Sequence, residues 1–193
     1  KRLTDYRTPL GETLRQFKVW LSAGLFFLYV GSEVSLGVWA YTLLTESRGI
    51  APEAAGLVTG SYWATFTIGR VVAGLFARRL GVDRLVQGSL LGALSGAVLL
   101  WWNPAPFANL TAVALIGFAI APIFPALMSG TTRRVGDNYA ANTIGLQMVG
   151  AGLGGASISA VVGVLARYIS LEVIPACLTG LFLLLFGLYQ TAR

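Results

Sequence analysis

The sequence predicts an all-α membrane protein of six transmembrane helices, and three observations carry that prediction. Hydrophobic residues make up 55% of the chain and charged residues only 11%, with a mean hydropathy of +0.72, far outside the composition of soluble domains. Apolar stretches of helical length recur between short polar turns. Basic side chains gather in every second interval between those stretches, which is the pattern of a multi-pass chain obeying the positive-inside rule.

Residues 1–18 carry Lys1, Arg2, Arg7, Arg15 and Lys18 against Asp5 and Glu12, and read as an extramembrane lead-in to a transmembrane domain over 19–193. The first span, 21–44, has no basic residue and exceeds the ~20 apolar residues that cross a bilayer core. Pro52 is placed to begin the second helix at its first turn. That span, 54–77, spaces Gly56, Gly60 and Ala64, then Gly69, Ala73 and Ala77, at four- and five-residue intervals that favour close helix packing in lipid.

A basic loop over 78–84 leads to the third span, 85–102, whose Gly88, Gly92 and Gly96 form a further packing ladder. Trp101 and Trp102 anchor its end beside the neutral turn 103–109. The fourth span, 110–129, holds Pro122 and Pro125, which remove backbone donors and predict a kink in its second half. Arg133, Arg134 and Asp137 make the next loop. The fifth span, 142–166, lines up Ala151, Gly155, Ser159 and Gly163, and the sixth, 173–189, closes the chain.

With the amino terminus inside, Lys1, Arg2, Arg7, Arg15, Lys18, Arg78, Arg79, Arg84, Arg133, Arg134 and Arg193 all fall on the inner side, whereas the outer loops hold Arg48 and Arg167. Both termini are therefore expected in the cytoplasm, in a cell (inner) membrane. The same distribution accounts for the net charge of +6 without nucleic acid. A lone cysteine, Cys177, excludes an intrachain disulfide, and without histidine no metal cluster or imidazole base is expected. No cofactor and no enzymatic activity are expected. No cleavable signal is read at the start, and because the chain begins with Lys1 it is expected to be a fragment or a processed product.

Glu33 stands near the middle of the first span. A carboxylate at that depth costs roughly 2.5–3.5 kcal/mol on insertion scales, so it persists where it faces a wet cavity, a binding site or a partner. The alternative is a protonated Glu hydrogen-bonded between helices. Tyr29, Gly37 and Tyr41 share its helix face at four-residue spacing, the glycine leaving room and the tyrosines offering hydroxyls. Tyr62 and Trp63 on the second span, and Asn142 and Gln147 on the fifth, are further candidates to stack on or hydrogen-bond a polyol, with interhelical packing as the alternative for each. Arg70 is the other charge set within a span, either snorkelling to the surface or pairing inward.

The run from Gly69 to Arg84 resembles the signature loop of the major facilitator superfamily, a glycine followed by an arginine-rich turn with a second glycine. Gly74, Arg79, Gly81 and Arg84 match the pattern, while Arg78 stands where the family usually has an acidic residue. The segment from Tyr29 to Trp39 resembles the seventh helix of the fucose permease-like sugar-transporting branch, that from Gly117 to Pro125 its tenth, and that from Gln147 to Gly155 its eleventh. The resemblance implies the carboxyl-terminal half of a twelve-span transporter, built as two inverted three-helix repeats. It implies a cavity lined by the first and fourth spans, with contributions from the second and fifth, and with the third and sixth as scaffold. The expected partners are a small-molecule solute, the lipid bilayer, and an amino-terminal half or a second copy. Three functions stay open: secondary transport of a small hydrophilic solute such as a sugar, with or without proton coupling; drug or lipid export; and a non-transporting membrane half.

Overall fold

A computed structural model of the protein describes residues 8–105 and 107–193, without the side chains of residues 77, 78 and 80. Lys1, Arg2, Asp5 and Arg7 of the expected lead-in, and the Arg78 side chain, lie outside the described residues. Every described element is a helix: α1 (Leu10–Leu14), α2 (Phe17–Thr42, widening into a π-turn over Leu43–Ser47), α3 (Pro52–Leu80), α4 (Val82–Trp102), α5 (Ala108–Ile120), α6 (Ile123–Ser129), α7 (Thr131–Val135), α8 (Asp137–Tyr168) and α9 (Val173–Ala192).

Five helical stretches are long and apolar enough to cross a membrane, namely Phe17–Ser47, Val82–Trp102, Ala108–Ser129, Asp137–Tyr168 and Val173–Ala192. The expected second span, α3, has the length at 29 residues but not that apolarity. Its Thr59, Ser61, Thr65, Thr67 and Arg70 lower that apolarity, the four hydroxyls bonding back to carbonyls of the preceding turn.

The first span (α2) packs on the fifth (α8) and the sixth (α9); the fourth (α5–α6) packs on the second (α3) and the third (α4); the third also meets the sixth. Exchanging spans one to three for spans four to six leaves this set of neighbours unchanged. Since successive spans reverse direction, the two triplets run oppositely, which is the inverted repeat. The core between them is made by Phe26, Leu36, Ile116, Leu178 and Phe182, all buried.

The expected break in the fourth span falls at Ala121–Pro122, between α5 and α6. Pro122 has no N–H to offer the preceding turn, so the helix must restart. The two basic loops, by contrast, are not loops. Leucine and arginine are good helix formers, so α3 runs on to Leu80 and α4 begins at Val82, with Gly81 alone turning the chain at φ 75°. Arg133 and Arg134 likewise sit in the short helix α7, closed by Gly136 at φ 84°.

The small-residue ladders divide into used and unused faces. Ala151, Gly155 and Ser159 are buried against α2, where Trp39 donates its indole N–H to the Ser159 carbonyl at 3.0 Å. Gly56, Gly60 and Gly88 instead have no neighbour within 4 Å of an added Cβ. The expectation that the whole Gly88, Gly92, Gly96 ladder packs is thus corrected: Gly96 is buried on Ile116, Gly92 touches Ala119, and Gly88 opens onto a cleft.

Lys18 near the start of α2 and Arg193 at the end of α9 line one cavity with Asp83, Arg133 and Arg134. The first span therefore begins at the same end of the bundle where the last one finishes, as an even number of crossings requires.

Candidate solute-binding site

Glu33 sits midway along α2 and is partly buried. Two tyrosines fix its surroundings. The Tyr62 hydroxyl donates to the Glu33 carbonyl oxygen at 3.1 Å, joining α3 to α2 at this level. The buried Tyr29 hydroxyl, one turn before Glu33, donates to the Ile120 carbonyl at 3.2 Å, beside the proline break of the fourth span.

Gly37, one turn beyond Glu33, admits the Trp63 ring, whose Cζ2 stands 3.1 Å from where a Cβ would be. The sequence reading expected this glycine to leave space beside the carboxyl. The structure fills that space with an indole, because α2 and α3 come together there and only a residue without a side chain lets the ring in.

From Trp63 an aromatic row runs along α3. Tyr62 and Trp63 meet edge to face at 4.9 Å between centroids, Trp63 and Phe66 at 5.9 Å, and the Arg70 guanidinium lies 4.4 Å over the Phe66 ring. The spacing Tyr62, Phe66, Arg70 is one helical face, so the row was readable in the sequence once Tyr62 was suspected. Trp63 remains 52% exposed, leaving a ring face free to stack on a ligand. Among the described residues no carboxylate lies within ion-pair distance of Arg70.

Arg70 also lines a cavity of about 560 Å³ with Pro122, Phe124, Pro125 and Ser129. Phe124 joins this cavity to the Glu33 neighbourhood, because its ring lies 6.1 Å from Tyr29 and 5.1 Å from Phe26 between centroids. The sequence reading missed Phe66 and Phe124, since apolar aromatics in an apolar span carry no signal of their own.

Tyr29, Glu33, Tyr62 and Trp63 are therefore brought together. Asn142 and Gln147 are not. The Asn142 amide donates to the Thr8 carbonyl and the Thr13 hydroxyl, both at 2.9 Å, and so binds the segment ahead of the first span. Gln147 is fully buried, donating to the Ser22 and Thr131 hydroxyls at 2.6 and 2.9 Å in a network that also holds Arg134. Both amides are consumed by helix-to-helix contacts, which corrects their expected place near a solute. Of the signature-loop residues, Gly81 makes the turn, Gly74 faces open space, and Arg79 and Arg84 are exposed.

Two interlocked, oppositely running helix triplets, with one carboxyl and a half-exposed aromatic ring where the first and second spans meet, define a multi-pass membrane domain. Residues 21–192 match the family described as Major Facilitator Superfamily, and the chain belongs to that family. It is 24% identical to "Bypass of stop codon protein 6" of Saccharomyces cerevisiae, over 92% of this chain and 38% of that protein. It is 28% identical to "Sodium-dependent glucose transporter 1" of Homo sapiens, over 77% of this chain and 29% of that protein. It is 23% identical to "Nitrite extrusion protein" of Bacillus subtilis, over 61% of this chain and 31% of that protein. The chain thus spans about a third of the length of the curated relatives it matches.

Proposed function

We propose that the chain is one six-helix half of a secondary transporter that moves a small hydrophilic solute, a sugar, by alternating access. The observation that carries this reading is the half-buried Glu33 in mid-span, held at its carbonyl by Tyr62, with the half-exposed Trp63 ring packed against Tyr62 and over Gly37 one turn away. A sugar offers apolar C–H faces to an aromatic ring and hydroxyls to a carboxylate, and this set supplies both. Likeness to proteins named glucose transporters supports the same solute class.

Relatives at least about twice as long as this chain support a facing half that completes the cavity, with a second copy as the other arrangement. Glu33 would then carry the coupling proton while lining the solute site. The arginine distribution supports a cell (inner) membrane setting with both ends of the chain cytoplasmic.

Reconstituted in liposomes, the full-length transporter that contains this chain should accumulate radiolabelled glucose when an inward proton gradient is imposed. Accumulation driven only by a sodium gradient would overturn the proton assignment, and absence of glucose exchange under any gradient would overturn the sugar assignment. Cysteines placed at Arg133 and Arg193 should both label from the cytoplasmic side; labelling from opposite sides would sink the topology.

A further inference from the structure

On α4 the three glycines of the ladder record how far the neighbouring helix stands away. A Cβ on Gly96 would meet Ile116 Cγ1 at 2.6 Å, one on Gly92 would meet Ala119 Cβ at 3.0 Å, and one on Gly88 would meet nothing within 4 Å. The helix α3 touches the Phe118 carbonyl at Gly69, and farther along it Ala73 and Phe76 line open space. Three helices that touch deep in the bundle and part toward the basic end enclose a wedge.

That wedge is a cavity of about 360 Å³ whose walls include Val72, Phe76, Leu115 and Phe118, with Arg84 at its mouth. Arg84 is exposed, and among the described residues no carboxylate pairs with it. Its neighbour Asp83 is already taken, accepting from Arg133 at 2.7 Å and from the Tyr189 hydroxyl at 2.8 Å.

We propose that this wedge binds an anionic phospholipid, one acyl chain lying along Gly88 and Gly92 and the phosphate resting on Arg84. The lengths agree. Arg84 to Gly92 is eight residues, roughly 12 Å of helix at 1.5 Å each, against about 15 Å for one leaflet of a ~30 Å hydrocarbon core. The charge agrees as well, since a guanidinium without a partner at headgroup depth offers a forked donor to phosphate oxygens. A single acyl chain enters between helices that stay in contact at Gly96 and Gly69, whereas a further helix would have to prise them apart.

Native mass spectrometry of the purified protein, titrated with phosphatidylglycerol or phosphatidylcholine of identical acyl chains, tests the assignment. Wild-type protein should retain phosphatidylglycerol roughly fivefold more tightly, the worth of one basic side chain at a membrane surface. Arg84→Gln should erase that preference while phosphatidylcholine retention persists. Gly88→Leu, which points into open space and leaves the helix contacts intact, should lower retention of both lipids. Circular dichroism and melting temperature should show both variants folded. An unchanged headgroup preference in Arg84→Gln, unchanged retention in Gly88→Leu, or a wild-type dimer that Gly88→Leu dissociates would each overturn the proposal, the last by showing that a second copy fills the wedge.

Discussion

Arg48 and Glu172, 124 residues apart in sequence, meet in a two-pronged pair, with Arg48 Nε 3.0 Å from Glu172 Oε1 and Nη2 2.8 Å from Oε2. Arg48 also donates to the Leu100 carbonyl at 2.8 Å and to the Asn109 side chain. One guanidinium thereby ties the turn after the first span to the ends of the third, the fourth and the loop before the sixth. It fastens both helix triplets at the end of the bundle opposite Arg193.

That pair makes stability depend on pH. Hydrogen bonds from Arg48 hold the Glu172 carboxyl below its ordinary range. A group with a depressed folded pKa stabilises fully above its unfolded value, ~4.3 for Glu, and loses that contribution as pH falls through the lower folded value. Glu172→Gln should lower the melting temperature at pH 7, by an amount corresponding to roughly 1–2 kcal/mol. The gap to wild type should narrow below pH ~4. A gap that stays constant from pH 7 to pH 3 would show that the charge of Glu172 is irrelevant.

Glu33→Gln keeps the side chain's size and its capacity to hydrogen-bond but cannot ionise. In reconstituted protein it should abolish proton-driven accumulation and spare counterflow exchange. If accumulation retains its wild-type rate and pH dependence, Glu33 is a structural residue.

Gln147→Leu removes hydrogen bonds from the Ser22 and Thr131 hydroxyls in a fully buried setting. It should cost roughly 1–3 kcal/mol in stability and leave solute affinity unchanged, measured by thermal unfolding and ligand binding. A selective loss of affinity at unchanged melting temperature would return Gln147 to the solute site.

The glycine ladder of α4 should respond unevenly. Gly96→Ala drives a methyl into Ile116 and should destabilise by about 1–3 kcal/mol. Gly92→Leu should lower folded yield, because Ala119 already stands 3.0 Å from the first added atom. Gly88→Ala should be neutral or stabilising by up to ~1 kcal/mol, since it gains helix propensity in open space. Equal losses at Gly88 and Gly96 would contradict the wedge.

The spans, their order and the break in the fourth were legible in the sequence, because each depends on local chemistry: apolar length, a proline without an N–H, a glycine at a turn. The same locality made Glu33 legible, for a lone carboxylate in an apolar run is conspicuous wherever the helix packs. Sequence alone could not sort the polar residues among neighbours. Tyr62 and Gln147 look equally eligible for a solute on paper, and only the packing of α3 on α2 brings Tyr62 to Glu33 while the packing of α2 on α8 buries Gln147 against Ser22 and Thr131. The glycines divide for the same reason: a GxxxG spacing permits close approach, but whether a helix takes the offer depends on axis angles fixed by contacts more than a hundred residues apart. Chain-local physics determined that this protein spans the membrane and carries a lone carboxyl in its first span; the crossing of the helices decided which groups stand beside it.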